Sequence, residues 1–336
     1  MSLMLTKLPF EAWPGKLVRR LRRRYNDHCV NIVTYHSVGG QRGVLDPGGA
    51  ARHTLVEFER QLDYLASNYD VISLRSLAER LERQEIPERA AVITFDDGYA
   101  EVMRTVAPML FRRRLPMTVF LVTSVVGNRD LLWQHKLAWL SANEQESRVE
   151  NALRAAGIVG RSSNETLGNF VRRCYRADVP AILESVLNEV GKSGPALAAE
   201  LRPYIDPEQI AAADPDFIEF GNHTHTHPVL SALSYEQQTR EISTGRDEIV
   251  RLTGQSPLAM AYPFGLKRHY TTETKRIVQE TWHRAALDLR RRTNQGVVDP
   301  FDLSRKPAVC GSQHLFEQMM EDWPVGREST HMGGAE

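Results

Sequence analysis

Short apolar runs of strand length alternate with helical segments along most of this 336-residue chain, and this alternation constrains the fold most strongly. The runs lie at about residues 30–35, 91–95, 117–122, 217–220 and 258–261. Thr54 with Glu57 forms a capping box that predicts a helix start. Ser234 with Gln237 predicts a second start, for a helix that ends at Gly254. Strands that alternate with helices favour right-handed crossovers and a mainly parallel sheet, with the chemistry at the C-terminal strand ends.

One stretch interrupts this alternation, at about residues 132–216. It contains Trp133 and Trp139, followed by helical patterns and by Asp206-Pro207, a pair typical of a helix start. We therefore predict a helical insertion here, folded over or beside the sheet. The two tryptophans either offer aromatic faces to a ligand in a groove or pack the insertion onto the rest of the fold.

Composition excludes several classes of protein. The 42 basic and 42 acidic residues balance, so no global field attracts nucleic acid. No apolar run approaches the roughly 18 residues that a membrane span needs. The three cysteines, Cys29, Cys174 and Cys310, lie far apart and form no CxxC pair, so free thiols are expected.

The ends of the chain differ from its middle. Residues 1–26 form a basic segment that includes KLVRRLRRR, from Lys16 to Arg24. This segment is either a solvated helix start or tether, or a peripheral contact with anionic lipid. Residues 27–322 are predicted to form the domain, and the polar tail at 323–336 to be disordered. Because no secretion signal is visible, we expect a cytoplasmic protein, either free or attached to the inner membrane face.

Two adjacent carboxylates close the apolar run at residues 91–95, in the sequence TFDDGY. Asp96 and Asp97 point in different directions at a strand end, so one can bind a metal while the other handles a proton. Gly98 allows a sharp turn or the close approach of a ligand. The alternative is a plain Asp-Gly turn with solvated acids.

Three alternating histidines follow the run at 217–220, in a chain with 11 histidines. They are His223, His225 and His227, within the sequence GNHTHTHP. Two imidazoles with one carboxylate leave an open position on a divalent metal, as in catalytic zinc sites. The alternative is an exposed polar loop or an adventitious metal binder.

Two further segments lie at strand ends. His36 closes the first apolar run, which would bring it to the same edge of the sheet, although a lone histidine is often a capped or core residue. The sequence YPFG at 262–265 follows the run at 258–261. It is either an ordinary Pro/Gly turn or one whose backbone N–H faces an oxygen at the metal.

Together these residues resemble the polysaccharide deacetylase family, also called the NodB-homology domain or carbohydrate esterase family 4. TFDDG is similar to its first motif, and HTxxHP, which begins at His223, is similar to its second. The resemblance covers about residues 30–309. It implies an α/β fold, namely a distorted, incomplete (β/α) barrel with a mainly parallel sheet and a helical insertion.

The resemblance also implies the roles of individual residues. Asp96 would be the general base, while Asp97, His223 and His227 would bind a divalent metal, zinc first, with cobalt, nickel or manganese as alternatives. His225 falls at a variable position of the motif and is not carried over as a ligand.

The third motif departs from the family pattern, since Ala261 and Phe264 replace its usual arginine and tyrosine. The subgroup of biofilm poly-N-acetylglucosamine deacetylases also lacks that arginine and has a similar turn, with a permuted strand order. Resemblance to this subgroup implies an oxyanion hole at the Phe264 backbone amide and His36 as the acid.

The C-terminal part of the family pattern is harder to place. The LxxH histidine of unpermuted members has no clear counterpart, and His314 is a poor candidate for it. The segment DLSR resembles the later motif that orients the acid or base. By this resemblance Arg305 and Asp302 support the catalytic groups.

The implied activity is removal of N-acetyl groups from an N-acetylhexosamine-containing polysaccharide or lipid-linked glycan, in bacterial exopolysaccharide or cell-envelope biosynthesis. One alternative keeps the metal site but acts on an O-acetyl ester or a non-sugar amide. Another is a catalytically inactive glycan-binding module. Retention of Asp96, Asp97, His36 and the two metal-binding histidines argues against an inactive module.

Overall fold

A computed structural model describes residues 28–39, Leu45 and residues 52–321 of the chain. The predicted basic segment at 16–24 and the predicted tail at 323–336 lie outside the described residues. The strands in the described part are β1 (Cys29–Tyr35), β2 (Asp70–Val71), β3 (Ala90–Phe95), β4 (Met117–Leu121), β5 (Ile218–Asn222), β6 (Ala259–Ala261), β7 (Ala285–Asp288), β8 (Asn294–Gln295) and β9 (Leu303–Pro307).

Helices connect most of these strands. The α-helices are α1 (Leu55–Asn68), α2 (Leu74–Glu82), α3 (Ala107–Arg113), α4 (Trp133–Ala142), α5 (Glu146–Ala155), α6 (Leu167–Arg173), α7 (Val179–Glu189), α8 (Gly194–Leu201), α9 (Pro207–Ala211), α10 (Tyr235–Thr253), α11 (Thr272–Glu280) and α12 (Gln313–Glu321). A π-helical turn (Val102–Val106) leads into α3, and short 3₁₀ turns lie at Leu230–Ala232 and Pro300–Asp302.

Seven parallel strands close into a barrel in the order β1, β3, β4, β5, β6, β7 and β9, with β9 paired back to β1. β2 adds a short parallel pairing to β3, and β8 pairs antiparallel with β1. The predicted (β/α) barrel is therefore confirmed, and it closes with seven strands where a complete barrel of this kind has eight. All C-terminal ends of the seven strands meet at one rim.

The five predicted strands are present as β1, β3, β4, β5 and β6, each within two residues of its predicted bounds. β7 and β9 were not predicted. β7 has the sequence AALD, and alanine has a low preference for strands. β9 has the sequence LSRKP, whose charged residues are typical of exposed segments, yet Arg305 and Lys306 are both buried in it.

The predicted helix caps are present. Thr54 and Glu57 form the capping box of α1. Ser234 and Gln237 do the same for α10, which ends at Gly254 with φ +71°. An N-cap of this kind contributes about 1 kcal/mol, so the caps fix where these helices start on the barrel surface.

Six helices, α4 to α9, lie between β4 and β5, in the stretch predicted as an insertion. They have an apolar core of their own, which includes Leu140, Leu153 and Leu183. Trp133 is 3% exposed and belongs to this core, and Trp139 packs against it. Trp133 therefore packs within the insertion, as one of the two predicted alternatives states, and its buried ring offers no face to a sugar.

In residues 28–39 and 52–321 no helix is long and apolar enough to cross a bilayer. The three cysteines are free thiols, as predicted, with Cys29 buried and the other two partly exposed.

Two buried histidines outside the strand-end rim predict a loss of stability in acid. Burial lowers the pKa of His135 to about 3 and that of His283 to about 4. In the unfolded chain these rings titrate near the ordinary value of about 6.5. As pH falls below about 6.5, the unfolded chain gains protons that the folded chain excludes, so stability falls by up to about 1.4 kcal/mol per pH unit for each ring.

Urea unfolding at pH 7.5, 6 and 5 tests this expectation. His283→Gln should flatten the decline of unfolding free energy between pH 6 and 5 relative to the wild type. His28→Gln is the matched control, because the His28 side chain is 72% exposed. Equal pH slopes for the wild type and His283→Gln would show that the ring of His283 is not held neutral.

Candidate metal centre

The predicted metal-binding and proton-transfer residues meet at the C-terminal rim of the barrel. Asp96 and Asp97 follow β3, and His223 and His227 follow β5, two strands away across β4. His36 follows β1, which pairs directly with β3. Since parallel strands end at the same edge, residues that are far apart in sequence converge there.

Asp97, His223 and His227 form a cluster that can hold a metal ion. Asp97 Oδ1 lies 3.7 Å from His223 Nε2 and 3.6 Å from His227 Nε2. The two Nε2 atoms are 3.2 Å apart. Ligands about 2.1 Å from a tetrahedral ion are separated by about 3.4 Å, so the three atoms match three corners of such a site.

The buried polar atoms of this cluster also fit a cation. Asp97 Oδ1 is buried and has no hydrogen-bond partner among the described residues. The cost of burying an unpartnered carboxylate oxygen is large unless a positive charge compensates it. Burial raises the pKa of Asp97, and burial followed by the nearby His223 lowers the pKa of His227 well below its usual value. A neutral imidazole is the form that binds metals.

A hydrogen bond orients the first imidazole toward the cluster. His223 Nδ1 donates to the carbonyl oxygen of Ala261 at 2.7 Å, which places the proton on Nδ1 and leaves the lone pair of Nε2 for a metal. Ala261, which replaces the usual arginine of the third motif, thus contributes through its backbone.

Asp96 is held differently from Asp97. Its two carboxylate oxygens accept from Arg305 Nη1 and Nη2 at 2.6 Å and 2.8 Å. Both side chains are almost fully buried in the barrel interior. Burial opposes the charged form, but Arg305 and then His223 hold the pKa of Asp96 well below its usual range. Asp96 therefore stays ionised. Because both of its oxygens already accept hydrogen bonds from Arg305, Asp97 is the carboxylate that can bind a metal.

Arg305 also donates to the hydroxyls of Thr34 and Thr94, at 3.1 Å and 3.4 Å. The support role predicted for Arg305 thus corresponds to direct contact with Asp96. Asp302, predicted beside it, lies elsewhere and pairs with Lys275 at 2.7 Å and with Arg290.

His36 and Phe264 both lie at the cluster. His36 Nε2 is 4.0 Å from Asp96 Oδ2, and the His36 side chain is 40% exposed, so it borders both Asp96 and solvent. The Phe264 ring packs edge-on against His227, with ring centroids 4.7 Å apart. The catalytic roles of His36 and of the Phe264 amide remain predictions.

Strained backbone surrounds the site. Asp97, Thr224, His227 and Phe264 have φ of +67°, +68°, +60° and +61°. Non-glycine residues in this region cost on the order of 1–3 kcal/mol each and cluster at functional sites. Gly98, at φ +68°, adopts the turn predicted for it at lower cost.

The other predicted histidines lie outside the cluster. His225 is not a member of it, and its Nδ1 contacts Thr123 Oγ1 at 2.9 Å, in agreement with the variable position of the motif. His314 is exposed on α12 and is not a member of the cluster either.

Three residues support the histidine loop through contacts that were not predicted from the sequence. Glu241 on α10 accepts from the backbone N–H of His225 and Thr226, at 3.1 Å and 2.8 Å, and so fixes the histidine loop. Gln134 and Trp133 on α4 contact His227. No sequence signal links these residues to the histidine loop, because each reaches it from a helix whose packing the sequence pattern does not specify.

Comparison with known proteins finds one matching family model and several similar proteins. A family model described as polysaccharide deacetylase matches residues 83–286, more than half of the chain. Poly-β-1,6-N-acetyl-D-glucosamine N-deacetylase of Staphylococcus epidermidis is 28% identical over 98 residues, 29% of this chain and 33% of that protein. YxkH of Bacillus subtilis is 26% identical over 108 residues, 32% of this chain and 36% of that protein. Each match spans about a third of the relative's length.

Solved structures share the fold over most of the chain. The deacetylase PplD of Streptococcus pyogenes has a TM-score of 0.59 at 16% identity, covering 88% of this chain and 99% of that one. IcaB from Ammonifex degensii has a TM-score of 0.56 at 17% identity, covering 87% and 96%. The deacetylase domain of BpsB from Bordetella bronchiseptica has a TM-score of 0.51 at 16% identity, covering 84% and 96%.

Proposed function

Because the chain belongs to the polysaccharide deacetylase family of hydrolases, we propose that it removes N-acetyl groups from an N-acetylhexosamine-containing glycan with the help of a divalent metal. The observation that carries this proposal is the buried cluster of Asp97, His223 and His227 beside a second, ionised carboxylate, Asp96.

A divalent ion at this cluster, zinc in the first instance, supplies a Lewis acid for the acetamide carbonyl and lowers the pKa of water from about 16 to about 7. Asp97, His223 and His227 would hold it. Their single carboxylate and two imidazoles leave coordination positions open, as hydrolytic sites require.

The chain's own groups then move the protons. Asp96 accepts a proton from the attacking water at Oδ2, which lies 3.9 Å from His223 Nε2 and so faces the cluster. His36, protonated at Nε2, donates to the nitrogen of the sugar as the carbon–nitrogen bond breaks. Acetate and a free amine result. His36 Nε2 and Asp96 Oδ2, the two proposed proton carriers, lie 4.0 Å apart.

Arg305 and Phe264 would support these steps. The bidentate contact of Arg305 fixes the direction of the Asp96 carboxylate, which can then accept a proton without reorientation. The backbone N–H of Phe264 would stabilise the negative charge that develops on the carbonyl oxygen, an effect typically worth about 3–4 kcal/mol.

The substrate class rests on the family and on the likeness to a poly-N-acetylglucosamine deacetylase. We propose a bacterial polysaccharide or its lipid-linked precursor, with a role in exopolysaccharide or cell-envelope biosynthesis. The His36 side chain is 40% exposed, so a sugar within a chain would be able to approach its ring from solvent.

Acetate release from N-acetylglucosamine oligomers tests the proposal. The protein should release acetate, lose this activity after chelation, and regain it with added zinc or cobalt. Acetylated xylan in parallel separates amide from ester hydrolysis. Oligomer binding without acetate release from either substrate, in metal-loaded protein, would contradict deacetylation and favour a glycan-binding module.

A further inference from the structure

We propose that the helical insertion is part of the metal centre: Gln134, in the first turn of α4, positions the ligand His227 and thereby sets the affinity for the cation. This inference rests on the proposed metal site. It gives the insertion a function that the barrel motifs alone do not contain.

Two neighbouring side chains of α4, those of Trp133 and Gln134, contact His227. The terminal amide of Gln134 contacts His227 Nδ1, the ring nitrogen that faces away from the cluster. Trp133 Nε1 donates to the carbonyl oxygen of His227 at 3.0 Å. Trp133 and His227 are both buried, so the hydrogen bond between them forms without competition from water. The insertion therefore fixes both the ring and the backbone of this ligand.

The chemistry of imidazole explains why Gln134 matters. A histidine that binds a metal through Nε2 carries its proton on Nδ1, and that proton needs an acceptor. Gln134 Oε1 is a buried acceptor without a hydrogen-bond partner among the described residues. A half-turn of the terminal amide exchanges its oxygen and nitrogen within the same volume. After this rotation, His227 Nδ1 donates its proton in a hydrogen bond to Gln134 Oε1, and both groups have a partner.

The start of α4 is rigidly anchored. The next residue, His135, contacts the hydroxyls of Tyr204 and Tyr99, the latter at 2.9 Å. Lys136 pairs with Asp130 at 2.8 Å. Tyr99 belongs to the TFDDGY motif, so α4 joins the loop that carries Asp97 to the loop that carries His227.

Backbone hydrogen bonds after α8 attach the insertion to the TFDDGY loop a second time. The backbone N–H of Ile205, after α8, donates to the carbonyl oxygen of Gly98 at 2.9 Å, and Ala100 N donates to Pro203 O at 2.9 Å. The start of α4 and the segment after α8 are therefore both attached to the metal-site loops. Because these contacts fix the start of α4, the backbone of Gln134 is already in place for its side chain to meet His227.

Metal affinity is the direct readout. We would measure Kd for Zn²⁺ and Co²⁺ by competition with a chromophoric chelator in the wild type, Gln134→Leu, Gln134→Asn and Gln134→Glu. Loss of a histidine's hydrogen-bond partner typically weakens metal binding by about 10–100-fold, so the Leu variant should lose that much. Asn, one methylene shorter, should lose about tenfold. Glu, a stronger acceptor, should bind at least as tightly as the wild type.

Gln279→Leu on α11 is the matched control, because it removes an exposed glutamine far along the chain and should leave Kd unchanged. Melting temperatures check that each variant folds. If Gln134→Leu does not fold, the Kd values of Gln134→Asn and Gln134→Glu test the role of Gln134 instead. Unchanged Kd in the folded Leu and Asn variants would overturn the role of Gln134 while the metal site stands. Failure of the wild type to bind either ion would instead remove the proposed function itself.

Discussion

Asp97→Ala is expected to abolish metal binding and to lower acetate release by at least about 10³-fold. The variant removes a carboxylate that lies within 4 Å of both imidazoles, and a metal held there would supply several kcal/mol of transition-state stabilisation. Asp96→Asn should behave differently. It should keep the metal, because Asp96 is committed to Arg305, and still lose about 10²–10⁴-fold in turnover, since an amide cannot accept the proton.

His225→Ala is the control for this pair, because it removes the third histidine of the loop without touching the cluster. Metal content by elemental analysis and acetate release are measured on the same samples. Full metal occupancy in Asp97→Ala would contradict its assignment as a ligand. A wild-type rate in Asp96→Asn would remove Asp96 as the base.

Arg305→Met is expected to destabilise the protein by about 3–5 kcal/mol, because it leaves the Asp96 charge buried without its partner. Arg305 is 0% exposed, so water cannot replace the lost contacts. The double variant with Asp96→Asn removes both charges and should be about 2–3 kcal/mol more stable than the sum of the single losses predicts.

Arg284→Met is the matched control for burial. Arg284 makes a similar two-pronged contact with Glu82 at 2.6 Å, but the two side chains are 39% and 53% exposed. Its loss should cost no more than about 1 kcal/mol by urea unfolding. Equal losses for Arg305→Met and Arg284→Met, or strictly additive single losses, would show that Asp96 does not depend on Arg305.

The parts of the fold that could be predicted are those with local signals. β1 and β3 are runs of β-branched and aromatic residues, and Ser234 with Gly254 marks both ends of α10. β7 and β9 escaped prediction for the opposite reason. The alanines of β7 prefer helices, and the ammonium group of the buried Lys306 in β9 donates a hydrogen bond to the carbonyl oxygen of Met319, a contact between distant parts of the chain.

The same distinction applies to the site. The Asp96-Asp97 pair and the histidine loop could be placed together from sequence, because each follows a strand of one parallel sheet and such strands end at one edge. The choice of Asp97, His223 and His227 among them came from the family resemblance. Gln134 could not be placed, since its contact depends on how the insertion folds back over the rim. Arg305 could be assigned only a general supporting role, because its bidentate contact requires β9 to pair with β1.

Anomalous diffraction from crystals of the zinc- or cobalt-loaded protein tests the central claim most directly. It should place one strong peak about 2.0–2.2 Å from Asp97 Oδ1 and from Nε2 of His223 and His227. A crystal with the metal bound elsewhere, or with no peak among these three side chains, would contradict the account.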